Sequence, residues 1–239
     1  QLISDEHLSD LINRVLIAND GQPLSFYEGM TAAAFLAFAE HPADLAIVEV
    51  GLGGRFDSTN VFKAPAVSVV TPIDYDHKEF LGKHLCQIAW EKAGIIKTGC
   101  PVVSAHQAPD VERTLRAEAT FQEASSFSVV RPSDYSGQNG ELSVSLDGLT
   151  LTNARLGLKG SHQYANAALA VHALQKANVF TLDQQKTATG LANAVWPARL
   201  QRLEHGPLTK DLGEKAVWLD GGHNPHAGRA IAESLTGDA

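Results

Sequence analysis

The sequence has little cysteine and no long apolar run, and both shortages limit the kinds of protein it can encode. Its 239 residues include two cysteines, Cys86 and Cys100, which are too few for a disulfide framework or a zinc cluster and fit a reducing compartment. No run of about 18 apolar residues occurs, so no transmembrane helix is predicted, and no signal peptide is recognisable. We therefore predict a cytoplasmic protein without a membrane partner.

Positive charge is also scarce. Lys and Arg number 19 against 27 Asp and Glu, which gives a formal net charge of −8 at pH 7. This balance argues against a general nucleic-acid-binding surface but leaves room for a local basic pocket that binds an anion. Methionine occurs once, at Met30, and the chain begins with Gln1. We therefore interpret the sequence as an internal piece of a longer protein.

The stretch at residues 45–60, LAIVEVGLGGRFDSTN, combines an apolar run with a cluster of glycines. Residues 45–50 predict a buried parallel strand, because a short apolar run that ends in glycine is typical of one. Glu49 stands one residue before the end of this strand, where open α/β sheets bind ligands, so we expect it to face a substrate, a metal ion or a cation. The alternative is a structural acid paired with Arg55. A phosphate-binding loop of the form G-x-x-x-x-G-K-[ST] occurs nowhere in the chain.

Apolar strands alternate with amphipathic helices along the first half of the chain, which predicts α/β architecture with a doubly wound, mostly parallel sheet. After residue 127 the pattern changes, and alternating segments on either side of Asp147-Gly148 predict a small β-hairpin region. A last apolar strand and a helix that begins near Pro225 predict the start of a second, Rossmann-like α/β domain. We place the domains at residues 1–206 and 207–239. The predicted strands are 45–50, 66–71, 101–105, 127–130, 142–146, 149–153 and 216–219, and the predicted helices are one after Ser4 and those at 25–40, 85–96, 109–123, 162–177 and 183–194.

Polar residues follow the predicted strands at the edge where a ligand crevice is expected. Asp74, Asp76 and His77 come after the second strand, and a carboxylate with an imidazole on adjacent strand ends is typical of a metal site. By ligand softness, Glu49 with His77 favours zinc or manganese over magnesium, and the alternative is that His77 is a loop residue with one hydrogen bond. Lys92 lies in an apolar helix, where it is either a surface lysine or, if buried, a neutral nucleophilic amine.

Six motifs occur in order along the chain: VEVGLGGRFDSTN, DYDHKEFLG, EKAGIIK, SHQYANAALAV, WPARLQ and LDGGHNPHA. Together they closely resemble the folylpolyglutamate synthase/dihydrofolate synthase family of the Mur-ligase superfamily. The resemblance covers nearly all of the chain and is weakest at residues 107–139. It implies a Mur-ligase-like ATPase domain followed by the start of a glutamate-ligase domain.

The resemblance also implies roles for individual residues. Glu49 and His77 match the family's Mg²⁺ ligands, which overrides the softness argument, and Lys92 matches a lysine that the family carries as a carbamate beside the metal. Arg199 matches an arginine on the ATP phosphates, so the catalytic candidates are Lys92, His77 and Arg199. Asn166 matches a residue near the ATP base, and Asp220 and His223 match residues in the second domain's part of the ATP cleft. Six residues match the family's pterin-binding region: Ser25, Phe26, Tyr27, Arg55, Asp57 and Ser58.

The family reaction that the resemblance implies is ATP- and Mg²⁺-dependent amide formation. A carboxylate of dihydropteroate or folate is phosphorylated by ATP, and the amine of L-glutamate then displaces phosphate from the acyl phosphate. The family's phosphate-binding loop and most of its glutamate-binding domain have no counterpart in this sequence. We therefore expect the full-length protein to be a monomeric cytoplasmic ligase, and this fragment alone to be inactive.

Two other functions stay open as alternatives. A Mur-type ligase that joins amino acids to a UDP-sugar belongs to the same superfamily, but the GLGGRFDSTN motif argues against it. A non-catalytic nucleotide- or folate-binding remnant is the second alternative, and the missing phosphate-binding loop motivates it. Within the ligase family, dihydrofolate synthesis, polyglutamate extension and both together are equally open.

Overall fold

The computed structural model describes residues 3–204, 206, 209–210 and 215–236. The chain divides into two compact units, Gln1–Phe62 and Lys63–Ala239, which are described separately below. In the described part of the chain, no helix is both long enough and apolar enough to cross a membrane.

The first unit contains two helices, α1 (Asp5–Asn19) and α2 (Phe26–Glu40). Each helix begins after a serine whose hydroxyl accepts a backbone N–H, which satisfies an otherwise unpaired donor of the first turn. At α2 the two residues form a capping box, because the Glu28 carboxylate also accepts the backbone N–H of Ser25. The helices pack through a small apolar cluster whose buried members are Leu11, Val15 and Ala33.

The predicted buried strand at residues 45–50 is wrong. This stretch belongs to none of the described sheets, Ile47 is 86% exposed and Glu49 is exposed. A β-strand needs a neighbouring strand to bond its backbone N–H and C=O groups, and no described residue pairs with this stretch in a ladder. The apolar pattern therefore identified the residues suited to a strand without supplying the partner that makes one.

A parallel sheet forms the centre of the second unit. Its strands are β1 (Ser68–Val70), β2 (Pro101–Ala105) and β3 (Ser126–Val130), in the order β1–β2–β3. Because side chains alternate along a strand, Val102 and Val103 of β2 enter different apolar clusters on the two faces of the sheet. Burial on both faces is typical of a doubly wound sheet, and the predicted α/β fold class is confirmed.

Helices from both sides cover this sheet. A short helix α3 (Lys78–Leu81) precedes α4 (Leu85–Ala93), and α5 (Pro109–Phe121) follows β2. The cluster on this face contains Ile88, Val111 and Leu115, each with 0% exposure. The helix α6 (His162–Ala177) contacts β2 through the other cluster, which includes Ala168 and Leu169.

A second, antiparallel sheet consists of β4 (Tyr135–Gln138), β5 (Glu141–Leu146) and β6 (Leu149–Arg155). Asp147 and Gly148 join β5 to β6 with φ of 49° and 78°, as a two-residue turn with left-handed residues requires, so the predicted hairpin is confirmed. The apolar face of this sheet packs against α6, and α7 (Gln184–Ala192) contacts β6.

The last elements of the second unit are β7 (Gln201–Leu203), β8 (Val217–Leu219) and α8 (Pro225–Thr236). β7 pairs antiparallel with β8, so residues on both sides of the predicted domain boundary share a ladder. The predicted last strand and the helix after it are confirmed. Residues 207 and 208, where the predicted second domain begins, lie outside the described residues, and the boundary stays a prediction.

His172 is a titratable group buried completely in α6. Its Nδ1 lies 3.0 Å from Gln175 Oε1, and its Nε2 lies 3.8 Å from the Asp147 carboxylate. Burial lowers the pKa of His172 and the charge of Lys176 lowers it further, while Gln175 and Asp147 oppose the shift only in part. The folded protein therefore holds this imidazole neutral at a pH where the unfolded chain protonates it.

We expect this histidine to make the protein less stable in mild acid. In the unfolded chain the imidazole takes up a proton near its ordinary pKa of about 6.5, so the unfolded state binds more protons below that pH. The contribution of the neutral His172 to the free energy of unfolding is fully present above about pH 6.5 and falls as the pH decreases toward the folded-state pKa. Urea unfolding of the protein and of His172→Gln across this range measures the effect. Equal pH dependence in both proteins would contradict the assignment.

Candidate functional site

The glycine-rich loop that follows residue 50 is organised by one carboxylate, that of Asp57. Its Oδ2 accepts the backbone N–H groups of Gly51 and Leu52 at 3.1 and 2.9 Å, and its Oδ1 accepts the backbone N–H of Thr59 at 2.9 Å. Gly53, with φ of 69°, lies in the left-handed region that favours glycine. The loop is therefore a preformed structure, built from bonds that the sequence GLGGRFDST encodes locally.

The residues expected to bind a pterin surround this loop in the first unit. The hydroxyl oxygen of Ser58 lies 3.1 Å from the hydroxyl oxygen of Thr31 on α2, and Arg55 is half-buried. The Tyr27 ring lies against Gly51 so closely that a Cβ there would be 2.4 Å from Tyr27 Cζ. Burial raises the pKa of Tyr27, and the charge of Asp57 raises it further.

Two of the six predicted pterin residues, Ser25 and Phe26, lie at the start of α2 and not in the loop. Ser25 caps α2 with its hydroxyl, and Phe26 is 85% exposed. The structure therefore brings Tyr27, Asp57 and Ser58 together at one loop and leaves the Phe26 ring open to solvent. Their ligand stays a prediction.

In the second unit, the loop after β1 carries the predicted metal ligand His77. This residue has a left-handed backbone with φ of 45°, which is uncommon for a residue with a side chain, and it is the N-cap residue just before α3. Its N–H donates to Asp76 Oδ1 at 2.9 Å, and its ring Nε2 lies 3.9 Å from the same oxygen. The imidazole is 44% exposed, so it is accessible to a ligand.

Gln107 supports this loop and was not identified from the sequence. It is 5% exposed, its Oε1 accepts the backbone N–H of Ile73 at 2.9 Å and its Nε2 donates to the Thr71 carbonyl at 2.9 Å. One side chain after β2 thus fixes the chain after β1. No local pattern reveals such a role, because the partners are more than 30 residues away.

Arg199 occupies a tight turn between two residues with left-handed backbones. Ala198 has φ of 55° and Leu200 has φ of 41°, a conformation that costs roughly 1–2 kcal/mol for a residue with a Cβ. The turn is held from the next segment, because Leu200 N–H donates to Asp220 Oδ2 at 2.8 Å and Gly221 N–H donates to the Ala198 carbonyl at 2.9 Å. Strain kept in place by other contacts is typical of functional sites.

The segment after β8 contains the other two residues expected in the ATP cleft. Asp220 accepts Gly222 N–H at 2.7 Å in addition to its bond with Leu200. His223 is exposed, and its Nδ1 lies 3.2 Å from the Gly221 carbonyl oxygen. The structure therefore brings Asp220 and Arg199 together in one place, with His223 on the same turn.

Asn166 and Lys92 lie on separate helices of the second unit. Asn166 is exposed near the start of α6, and its Nδ2 donates to Gln163 Oε1 at 3.2 Å. Lys92 is half-buried near the end of α4, between the surface position and the buried position that the sequence left open. The neighbours Ile88, Ala89 and Ala93 fill the core-facing side of the helix.

The donor chemistry fits magnesium only in part. Among the residues the structure describes, no group of three or more His, Cys, Asp and Glu side chains is arranged to hold a metal ion. Carboxylate oxygens suit Mg²⁺, but in the His77 loop the carboxylates of Asp74 and Asp76 already bond Arg229 and Asn224. Glu49 belongs to the first unit and His77 to the second, and their shared magnesium site stays a prediction.

No protein-family model matches the chain. Among curated proteins, it is 38% identical over 249 residues to the dihydrofolate synthase/folylpolyglutamate synthase of Bacillus subtilis and 37% identical over 246 residues to that of Mycobacterium tuberculosis. These alignments cover 98% and 95% of this chain, but 56% and 48% of the two relatives. The chain thus spans about half the length of the curated relatives it matches.

Solved structures of such enzymes share the fold. The apo form of L. casei FPGS (folylpolyglutamate synthase) has a TM-score of 0.82 and 28% identity, over 100% of this chain and 60% of that one. Mycobacterium tuberculosis folylpolyglutamate synthase complexed with ADP and AMPPCP has a TM-score of 0.80 and 34% identity, over 98% and 55%. E. coli FolC in complex with DHPP and ADP has a TM-score of 0.82 and 31% identity, over 100% and 53%. On sequence and fold together, the chain belongs to the folylpolyglutamate synthase/dihydrofolate synthase family.

Proposed function

We propose that the protein is an ATP- and Mg²⁺-dependent ligase that joins L-glutamate to the carboxylate of dihydropteroate or of a folyl(poly)glutamate. The names of its relatives and the ADP and DHPP bound to E. coli FolC support this proposal. We further propose that residues 1–206 belong to the ATPase domain and that residues 207–239 begin the glutamate-ligase domain.

The observation that carries the proposal is that the Arg199 side chain lies against the turn that leads into α8. Its Nη1 lies against Gly221, at 2.7 Å from the point a Cβ would occupy. A guanidinium and the positive end of a helix both favour negative charge, and α8 begins four residues after Gly221. A phosphate group of ATP is the anion that suits this arrangement.

In the proposed reaction, Arg199 stabilises negative charge on the phosphoryl group that is transferred. A carboxylate oxygen of the pterin substrate attacks the γ-phosphorus of ATP, and ADP leaves with the electrons of the broken P–O bond. The glutamate nitrogen then attacks the acyl carbon, phosphate leaves, and the nitrogen loses a proton to solvent. Fixed positive charge at the phosphoryl oxygens supplies most of the rate enhancement in such transfers, and Arg199 is assigned that role.

Magnesium, when bound, would neutralise the phosphate oxygens of ATP. Glu49, His77 and a carbamate on Lys92 are the groups proposed to hold it, and the resemblance of their motifs to the family supports this assignment. On the substrate side, the exposed Phe26 ring offers a flat apolar surface on which a pterin can stack. The half-buried Arg55 and the Asp57-organised loop complete the proposed pterin region.

Product formation in the complete enzyme tests the proposal. The enzyme is incubated with ATP, Mg²⁺ and labelled L-glutamate, together with dihydropteroate, a reduced folate or a UDP-muramoyl substrate. We expect label in an amide product of dihydropteroate or folate, with ADP and phosphate released in equal amounts. Label in the UDP-sugar product alone would favour the Mur-type alternative. Nucleotide and folate binding without any product would identify a non-catalytic protein.

A further inference from the structure

Asn224 forms hydrogen bonds with two different parts of the second unit. Its Oδ1 accepts the backbone N–H of Ala227 at 2.9 Å, which caps the N-terminus of α8. Its Nδ2 donates to Asp76 Oδ2 at 3.0 Å, across 148 positions of sequence. One half-buried amide thus joins the start of α8 to the loop after β1.

The second oxygen of Asp76 carries this contact to His77. Asp76 Oδ1 accepts the His77 N–H at 2.9 Å, in the turn where His77 adopts its left-handed backbone. A carboxylate that is free to rotate cannot hold a strained neighbour in place. Asn224 removes that freedom by engaging the opposite oxygen, so the backbone of His77 is fixed through Asp76.

We propose that Asn224 is a positioning residue for His77, acting through Asp76. The inference rests on the proposed function, because it concerns the histidine assigned to the ATP–magnesium site. It also explains how the segment with Asp220 and His223 is tied to the loop with His77: a single amide contacts both. Asparagine suits this position because its amide both accepts and donates, whereas aspartate only accepts and serine is too short to do both.

A neighbouring ion pair makes a smaller contribution to the same connection. Arg229 on α8 donates to Asp74 Oδ2 in the same loop. The Arg229 side chain is 61% exposed, and an exposed ion pair contributes little because water and salt screen it. The half-buried amide–carboxylate bond is therefore the contact expected to fix the loop.

Asn224→Asp is the informative variant, since it keeps the helix cap and replaces the donor with a second negative charge facing Asp76. We expect turnover of the complete enzyme to fall roughly 10- to 100-fold, the usual range for a residue that orients a metal ligand, with the KM for folate little changed. The half-saturating Mg²⁺ concentration should rise. The backbone N–H of His77 should also exchange with deuterated solvent faster, which is a measurement that does not depend on activity.

The double variant Asp76→Asn with Asn224→Asp exchanges donor and acceptor. It restores the bond between the two side chains, leaves an acceptor for His77 N–H and keeps the cap of α8. Turnover and slow exchange at His77 should both recover. Arg229→Ala is the matched control and should change turnover less than about twofold, in line with an exposed pair.

Two results would overturn the proposal. One is an Asn224→Asp enzyme with wild-type turnover and wild-type exchange at His77. The other is an Asn224→Asp enzyme and a double variant that lose thermal stability and activity alike, which would reduce the contact to a purely structural one. If the wild-type enzyme forms no glutamate amide, the proposed function fails, and the exchange measurement still decides whether Asn224 positions His77.

Discussion

Replacing Lys92 with alanine is expected to lower the turnover of the complete enzyme by roughly 100-fold or more, the scale seen when a charged group at a phosphoryl-type transition state is lost. The Lys92 ammonium group first loses one proton, and the neutral nitrogen then adds to the carbon of CO2 and loses a second proton, so a cation becomes an anion that would support Mg²⁺. Lys92 is half-buried near the end of α4. A Mg²⁺ ion bound beside it would stabilise the anionic carbamate.

Two variants make the Lys92 prediction specific. Lys92→Arg should stay inactive, because a guanidinium keeps its charge and forms no carbamate. Lys97→Ala is the matched control, a half-buried lysine just beyond the same helix whose Nζ donates to the Gly94 carbonyl at 3.4 Å, and it should retain activity. Carbon-13 NMR after incubation with labelled bicarbonate should show a carbamate signal that Lys92→Ala lacks. An active Lys92→Arg enzyme would exclude the carbamate.

Arg199→Ala should lower turnover by roughly 100- to 1,000-fold while the KM for folate changes little. Charge on the transferring phosphoryl oxygens is greatest in the transition state, so a residue that stabilises this charge affects turnover more than substrate binding. The structure strengthens the expectation, since Ala198 and Leu200 keep left-handed backbones on either side of Arg199. A turn held at such a cost positions its central side chain.

The matched control for Arg199 is Arg202→Ala. Arg202 is also exposed and lies three residues further along, in β7, outside the strained turn. Its loss should leave turnover within about twofold, as for other exposed surface changes. Steady-state kinetics with saturating ATP separate the two variants. Unchanged turnover with a raised folate KM in Arg199→Ala would contradict the assigned role.

Much of the fold could be predicted because its determinants are local. The helix that begins after Ser4, the glycine turn at Asp147-Gly148 and the apolar strand at residues 101–105 all appear where the sequence indicates them. Caps, turns and periodic burial depend on residues a few positions apart. The prediction of a strand at residues 45–50 was wrong because a strand also needs a partner strand, which local sequence does not supply.

The candidate site was only partly predictable. Motifs identified Arg199, Asp220 and His77 by resemblance, and the structure shows that the first two share hydrogen-bonded turns. The supports for His77, namely Gln107 and Asn224, were not identified, because their partners lie more than 30 and more than 140 residues away. No pattern of spacing within one segment reports such a bond.

By itself, the sequence determined the fold class, most helices and strands, the family and the chemical types of the site residues, because these follow from periodicity and from ordered motifs. Only the tertiary structure decided that Lys92 is half-buried and that Asn224 reaches Asp76. Burial and hydrogen bonding depend on which segments meet when the chain folds. Which segments meet depends on how the second unit packs around β2 and α6, so it cannot be inferred from residues that are neighbours in sequence.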